Sequence, residues 1–394
     1  MSYKTVFALL IGGFVLVAAL VAVFHFSVDQ FTFQDEFLRQ KPKDVFSSNK
    51  GVMSFAELDG YLYAGTWNET TKAQLWRSAD LESWEAVTTD AFGLPRAAEF
   101  VSLVAFDGAI FVGTINGADN DPALIVCYRP GEGAELAAAD DVFAPGDNYV
   151  KALAVWHDRL YAVTDREFVM SRSGKRGSFR RAWPAQEQGV SFNSLIVFND
   201  RLFVTVVRAD ASLRILRVAE NGTTLLHTKL PDLKRPILST AFGRLIVGGK
   251  DSAPPTEIMH PLAPTPKTRK GTGLPKYDCF AEYHGRTFFG TRRSSWKQKW
   301  HAAILFECDE QQCWEATEPG LGDDNNIMIS TMTVFRERLV AGTWNLVSGA
   351  QIAHLTGDKT WKRVNPTHAA HVPPNPRQEK RLDAPGDAVA RTHP

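Results

Sequence analysis

Phe55-Ala-Glu-Leu-Asp-Gly-Tyr-Leu-Tyr-Ala-Gly-Thr66 decides the architecture, because the chain repeats it almost word for word as Leu103-Val-Ala-Phe-Asp-Gly-Ala-Ile-Phe-Val-Gly-Thr114. Each copy is a short apolar segment, a tight polar turn and a second apolar segment ending near Gly-Thr. Further copies run over 153–164, 195–206, 238–249, 280–291 and 332–343. The turns Asp59-Gly60, Asp107-Gly108, Asn199-Asp200 and His284-Gly285 use residues that accept positive φ at little cost, which is hairpin chemistry. The copies recur every 40 to 50 residues or so, roughly the period of a four-stranded structural unit.

A second phrase fills the rest of each unit. Ala73-Gln-Leu-Trp-Arg-Ser-Ala-Asp-Leu-Glu-Ser-Trp-Glu-Ala-Val87 aligns without a gap on Ala303-Ile-Leu-Phe-Glu-Cys-Asp-Glu-Gln-Gln-Cys-Trp-Glu-Ala-Thr317, so that Trp84 falls on Trp314. Trp361, Phe179 and Leu225 take the corresponding place elsewhere, and the Pro-rich segment 254–266 is expected to be irregular. Two hairpins per unit make four antiparallel strands, A to D. Seven units predict an all-β chain, a seven-bladed β-propeller of four-stranded antiparallel blades. Ring closure leaves only short, protected sheet edges.

The first residues read differently. From Thr5 to Phe26 there is almost no polar side chain, and about 20 apolar residues suffice to cross a bilayer as a helix. A cleaved signal peptide has a shorter apolar core and a small-x-small exit, whereas the exit here is the bulky Val21-Ala-Val-Phe-His-Phe26. Residues 1–28 therefore predict one N-terminal transmembrane helix, an uncleaved signal anchor. Lys4 favours a cytoplasmic N-terminus, with the remainder periplasmic or extracellular. Residues 29–50 read as a stalk, 51–365 as the propeller and 366–394 as a disordered tail. The zero formal net charge gives no reason to invoke nucleic acid, and four cysteines in 394 residues are no disulfide scaffold.

Leu62-Tyr-Ala-Gly-Thr-Trp-Asn68, Leu75-Trp-Arg-Ser-Ala-Asp80 and Trp84 resemble bacterial propeller repeats of the Asp-box and kelch-like kind. Ser78, Asp80 and Trp84 are similar to an Asp-box, with Leu81 or Glu82 where that motif has Gly and a spacing one residue short. Thr356-Gly-Asp358 with Trp361 is a second degenerate copy. The resemblance implies a propeller over about 52–364, in which the box ties a turn to its strand. It implies no particular activity, because propellers host unrelated functions.

In a propeller the B–C and D–A loops share the face that usually carries ligands. On that face the basic residues, Lys250, Lys267, Lys276, Arg292, Arg293 and Lys297 among them, fall in units four to six. Glu69, Asp119, Asp121, Asp147, Asp323 and Asp324 fall in the others. A neutral protein can thus carry a basic half that attracts anions. The loop Arg292-Arg-Ser-Ser-Trp-Lys-Gln-Lys-Trp-His301 is the sharpest such signal. Trp296 and Trp300 offer faces for sugar rings or cations, and Arg292, Arg293 and Lys297 offer donors for carboxylate or phosphate. A solvated loop with its indoles packed under a neighbouring unit is the structural alternative. Trp67-Asn68 and Trp344-Asn345 hold matching places in the first and last units. They read as a device in which the ring covers the corner and the amide satisfies loop backbone, or else as ligand contacts. Asn116-Gly-Ala-Asp-Asn-Asp121 resembles part of a calcium loop but lacks the downstream Glu of an EF-hand, so ordinary turn chemistry is the reading.

No metal-binding His pair, cofactor motif or Gly-x-Ser-x-Gly elbow is present. Tyr277, His301 and Arg292 are the one combination that could serve a hydrolase or lyase on an acidic glycan, with Arg neutralising a carboxylate and Tyr or His moving protons. The expectation is a non-catalytic binding or scaffold module without cofactor or metal, facing an anionic glycan or a protein partner. Convergence of those three residues would favour the enzyme instead. Finally, Cys308 and Cys313 flank a four-residue turn, aligned with Ser78 and Ser83 of the first unit. Opposed hairpin positions lie close enough to bridge, and an oxidising compartment would bridge them. Cys127 and Cys279 belong to units that are not neighbours and are expected to stay reduced.

Overall fold

Left-handed backbone closes the repeated hairpins as their sequences require. Asp59, Asp107, Asn199 and His284 have φ between 48° and 50°, and each is followed by a second residue of positive φ, such as Gly60 at 74°. Two consecutive positive φ values match the twist of the flanking strands. A computed structural model of the chain describes residues 46–371 except 69, 95–96, 117–120, 144–145, 183–189, 209–211, 220–221, 231–235, 250–255, 258–266, 269–276, 293–301, 311, 358–359 and 365–369.

The described strands make successive antiparallel meanders. The first is β1 (Gly51–Leu58), β2 (Tyr61–Trp67), β3 (Leu75–Ser78) and β4 (Glu85–Thr88), and the second β5 (Ala97–Phe106), β6 (Ala109–Asn116), β7 (Ile125–Arg129) and β8 (Gly133–Ala138). The third is β9 (Ala152–Trp156), β10 (Arg159–Val163), β11 (Phe168–Ser171) and β12 (Arg180–Arg181), and the fourth β13 (Ser191–Phe198), β14 (Arg201–Val207), β15 (Leu213–Ala219) and β16 (Gly222–Leu230). In the fifth, only β17 (Pro236–Ala241), β18 (Arg244–Gly249) and the two-residue β19 (Thr256–Glu257) are described; β20 (Lys267–Thr268) follows. The sixth is β21 (Tyr277–Tyr283), β22 (Arg286–Thr291), β23 (Leu305–Cys308) and β24 (Gln312–Glu315). The seventh is β25 (Asn326–Phe335), β26 (Arg338–Asn345), β27 (Ile352–Leu355) and β28 (Trp361–Arg363), and β29 (Ala370–His371) ends the described chain. The fold is all-β and propeller-like, with each meander drawn from contiguous sequence.

Packed structure reaches past both expected boundaries. Phe46–Ser48, inside the expected stalk, is a turn of 3-10 helix whose Phe46 is fully buried, edge-on to Trp76 at 5.4 Å. β29, inside the expected tail, pairs in parallel with β4, and β20 does the same with β24. Among the described residues no helix is long and apolar enough to cross a membrane; the segment read as an anchor lies outside them.

Glycine explains how neighbouring meanders touch. A Cβ on Gly65 would lie 2.8 Å from Phe100 O, one on Gly113 2.6 Å from Val150 Cγ1, one on Gly290 2.7 Å from Ile329 Cγ2, and one on Gly342 2.6 Å from Val52 Cβ. The Gly of each Gly-Thr is therefore where the next unit's inner strand presses closest. The core fills the spaces between units. Tyr63, Phe100 and Val112 pack between the first and second, and Trp76, Val340 and Ile352 between the first and seventh. Turns of adjacent units are also linked. Trp156 Nε1 donates to Asp200 O (3.1 Å), Tyr283 Oη to Glu337 O (2.8 Å) and Arg336 Nη2 to Gly60 O (3.3 Å).

The outer hairpins repay the same reading. Ser78 Oγ accepts from the Leu81 N–H (2.9 Å), Asp80 Oδ1 from the N–H groups of Glu82 and Ser83 (2.8 and 2.7 Å), and Trp84 Nε1 donates to Leu81 O. Leu81 stands in the left-handed region at φ 69°, so the glycine-like position is Leu81 and not Glu82. In the sixth unit Cys308 pairs with Cys313 across β23 and β24, and the two are joined by a disulfide. Cys127 and Cys279 take no part in one; burial pushes the Cys127 thiol up to about 11.

Candidate functional site

In the first, third and seventh units the Thr near the end of the second strand holds the chain as it enters the inner strand. Thr66 Oγ1 donates to Asn49 Oδ1 (2.8 Å), and Asn49 Nδ2 donates to Gln74 Oε1 (2.7 Å). In the seventh unit Thr343 Oγ1 donates to Asn326 Oδ1 (3.0 Å) and Asn326 Nδ2 to Gln351 Oε1 (2.9 Å). In the third, Thr164 Oγ1 donates to Asp147 Oδ2. All these side chains except those of the Gln residues are fully buried, and a satisfied buried network fixes a unique arrangement. The spacing Asn-x16-Thr-x7-Gln was present in the first and seventh units and Asp-x16-Thr in the third, but of these only the Thr stood out in the repeat. Asn68 and Asn345 belong to the same device. The Asn68 Oδ1 accepts from the N–H groups of Thr70 and Thr71, and the Asn345 Oδ1 from those of Val347 and Ser348. Both amides are spent on loop backbone.

The residue after that Thr forms the rim. Trp67, Ile115, Arg292 and Trp344 each follow it, and each bridges to the first residues of the next inner strand: Trp67 to Glu99, Ile115 to Tyr149, Arg292 to Met328 and Trp344 to Gly51. Lys250 has the same place in the sequence, outside the described residues. Three of these side chains meet across the sixth, seventh and first units. The Arg292 guanidinium lies over the Trp344 ring at 5.4 Å, and the Trp344 and Trp67 rings are 4.8 Å apart and inclined by 45°. Trp344 Nε1 donates to Met53 Sδ (3.1 Å), and a Cβ on Gly51 would come within 2.5 Å of the ring, so the indole fits only against glycine.

Arg292 has a partner that the sequence did not single out. Its Nε and Nη2 donate to the two oxygens of Asp278 (3.3 and 3.0 Å), whose side chain is only 3% exposed. A bidentate fork of this kind fixes both position and plane.

Tyr277 goes elsewhere. It is buried with Phe289, Phe306 and the disulfide, its hydroxyl has no hydrogen-bond partner among the described residues, and burial pushes its pKa far above the ordinary phenol value. Tyr277 is thus a core side chain, whereas Arg292 is partly exposed at the rim. His301, Arg293, Trp296, Lys297, Trp300, Lys250 and Lys276 lie outside the described residues. Two carboxylates counted toward an acidic half-face are internal ties instead. Asp147 is fully buried, and that burial raises its pKa. Asp323 is also desolvated, which acts upward, but hydrogen bonds from Asn325 N–H, Gln351 and Ser348 hold it below the usual carboxylate value. Asn116 Nδ2 donates to Pro122 O, which is turn chemistry. Among the described residues no cluster of His, Cys, Asp and Glu could hold a metal. A charged depression of about 550 Å³ lies at the opposite strand ends, lined by Asp107, Arg129, Glu132, Glu135, Lys175 and Arg176.

No family model matches the sequence, and no curated protein matches it. Solved structures do share the fold. The extracellular domain of BT4673 from B. thetaiotaomicron superposes with a TM-score of 0.51 at 11% identity, over 78% of this chain and 38% of that one. A puromycin-hydrolyzing peptidase from Mycobacterium tuberculosis gives 0.50 at 9% identity, over 84% of this chain and 56% of that one. The chain thus spans well under two thirds of either protein, and the likeness is one of fold.

Proposed function

We propose that the chain is a membrane-tethered, extracytoplasmic, seven-bladed β-propeller acting as a non-catalytic binding module for a glycan or a protein partner. Contact of β25 with β1, the Trp344–Gly51 bridge and the Arg336–Gly60 hydrogen bond support closure of the seventh meander on the first. The apolar run from Thr5 to Phe26 supports the tether, and the oxidised Cys308–Cys313 pair supports a compartment outside the cytoplasm. The observation that carries the binding reading is the run of Arg292, Trp344 and Trp67 along the loop-bearing rim of adjoining units. The basic loop 293–301 continues directly from Arg292 and supplies the anionic preference. The burial of Tyr277, with no hydrogen-bond partner among the described residues and a firmly held proton, weighs against the hydrolase or lyase reading.

The test uses the full chain extracted in mild detergent, put to a glycan array and to a pull-down from its own cell envelope. Specific capture of one glycan class or one protein, without cleavage of it, is the expected result. Turnover of a bound acidic glycan would overturn the non-catalytic reading.

A further inference from the structure

The character of the rim at Arg292 narrows the ligand, an inference that rests on the binding-module reading above. An arginine that captures an anion needs uncompensated charge and open donors. Arg292 has given its fork, Nε and one Nη2 hydrogen, to the nearly buried Asp278, whose charge opposes its own. Its plane is held over Trp344, and Trp344 packs against Trp67, so a guanidinium and two indoles follow one another across three units. All three residues are partly exposed. The guanidinium keeps three N–H groups beyond those the carboxylate takes, since it has five donors. A surface of flat apolar faces with a few fixed donors and an arginine whose fork is already taken suits a ring that has an apolar C–H face and hydroxyl acceptors at its edge.

We infer that the Arg292–Trp344–Trp67 patch binds an uncharged sugar ring by stacking, with Asp278 as the positioning residue that opposes the charge of Arg292 and orients its plane. Any acid recognition by the loop 293–301 is then a separate contact made beside this one.

The experiment titrates full-length protein in detergent with neutral oligosaccharides of glucose, mannose and N-acetylglucosamine, and with hexuronate oligosaccharides, at low and high salt. A neutral oligosaccharide is expected to bind with an affinity that changes less than about twofold between salts, because an uncharged ligand forms no ion pair for salt to screen. Asp278→Asn should weaken neutral binding by about tenfold and give new, salt-sensitive binding of hexuronates, as expected of a released guanidinium. A purely structural role could not produce that gain. Asp278→Glu should restore part of the neutral binding. Should Asp278→Asn fail to fold, Arg292→Lys, which keeps the charge but loses the fork and the plane, should show the same loss of neutral binding. Binding of hexuronates alone by the wild type, lost steeply with salt, would overturn this inference and leave the binding module standing. Neutral binding unchanged in folded Asp278→Asn, or in Arg292→Lys, would remove the patch as its site. Failure of every glycan and every envelope protein to bind would remove the module reading itself.

Discussion

The joint between the first and seventh units and the inner hairpin of the fourth unit are built on the same backbone plan with different chemistry. The first unit's Thr66–Asn49–Gln74 and the seventh's Thr343–Asn326–Gln351 are two copies of one buried network, and across the joint the N–H groups of Asn345 and Ala350 donate to Lys50 O and Asn49 O (3.0 and 2.8 Å). Trp76 Nε1 adds a further donation to Gln74 (2.9 Å), and outside it Lys362 pairs with Glu82 at 2.6 Å. In the fourth unit Val206 occupies the register of the Thr, opposite Phe192, and Gly189 stands seventeen residues before it where the first, third and seventh units have Asn or Asp. The hydroxyl of the adjacent Thr205 is fully buried and has no hydrogen-bond partner among the described residues. The inner strands of the fourth unit are aligned by packing and by scattered contacts such as Leu238 N–H to Ser194 Oγ (3.2 Å) and Lys151 Nζ to Phe192 O (2.9 Å), not by a copy of that network. Directional bonds align those of the joint, where the two ends of the repeat array meet without sharing a strand.

That contrast can be broken by mutation. The largest effect is expected from Asn49→Ala, which removes the buried side-chain hydrogen bonds to Thr66, Gln74 and the Phe46 carbonyl, at about 3 kcal/mol. Denaturant unfolding would measure it, and a loss under about 1 kcal/mol would remove the network from the joint's stability. Next comes one substitution made in two places. Thr66→Val should cost about 2 kcal/mol, whereas Thr205→Val should be neutral or stabilise by about 1 kcal/mol, because it deletes an unpaired polar group and keeps the shape. Equal effects at both sites would erase the distinction between the regions.

Asp147→Asn sharpens the comparison by giving the third unit the residue of the first and seventh. Burial raises the Asp147 pKa in the folded state, so the folded chain binds this proton more tightly than the unfolded one. Stability from this group is therefore present at low pH and is lost as pH rises from the ordinary carboxylate value through the raised one. The Asn variant should melt higher than wild type at pH 7, with the gap closing as pH falls toward about 4. A gap that widens on acidification would reverse the assigned cause. The smallest effect is expected from Cys308→Ser with Cys313→Ser. The bridge closes a five-residue separation, and so short a loop removes little unfolded-state entropy. A shift in Tm of no more than a few degrees should come with faster amide exchange in the 309–312 turn.

Much of the architecture was legible. Hairpins at 59–60, 107–108, 199–200 and 284–285 followed from residues that tolerate positive φ, a property local to the turn. The pairing of Cys308 with Cys313 followed from alignment onto Ser78 and Ser83, because hairpin register transmits directly from sequence. The site was legible only in part. Trp67, Trp344 and Arg292 were each visible, but their meeting depends on units six, seven and one lying side by side. Asp278 gave no signal beside a Tyr that looked more chemical, and Tyr277 proved to be core because Phe289 and Phe306 close over it.

By itself the sequence determined what repeats and where it turns, since φ preference, strand alternation and unit period are short-range properties written residue by residue. Only the tertiary structure decided what the repeated letters are for. Gly is kept where a neighbouring strand comes within 3 Å of a missing Cβ, and Thr where its hydroxyl meets an amide seventeen residues upstream. Arg292 is a compensated plane and not an open anion clamp because a buried carboxylate takes its fork. Those outcomes depend on distances between segments far apart in the chain, and such distances exist only once the units have packed.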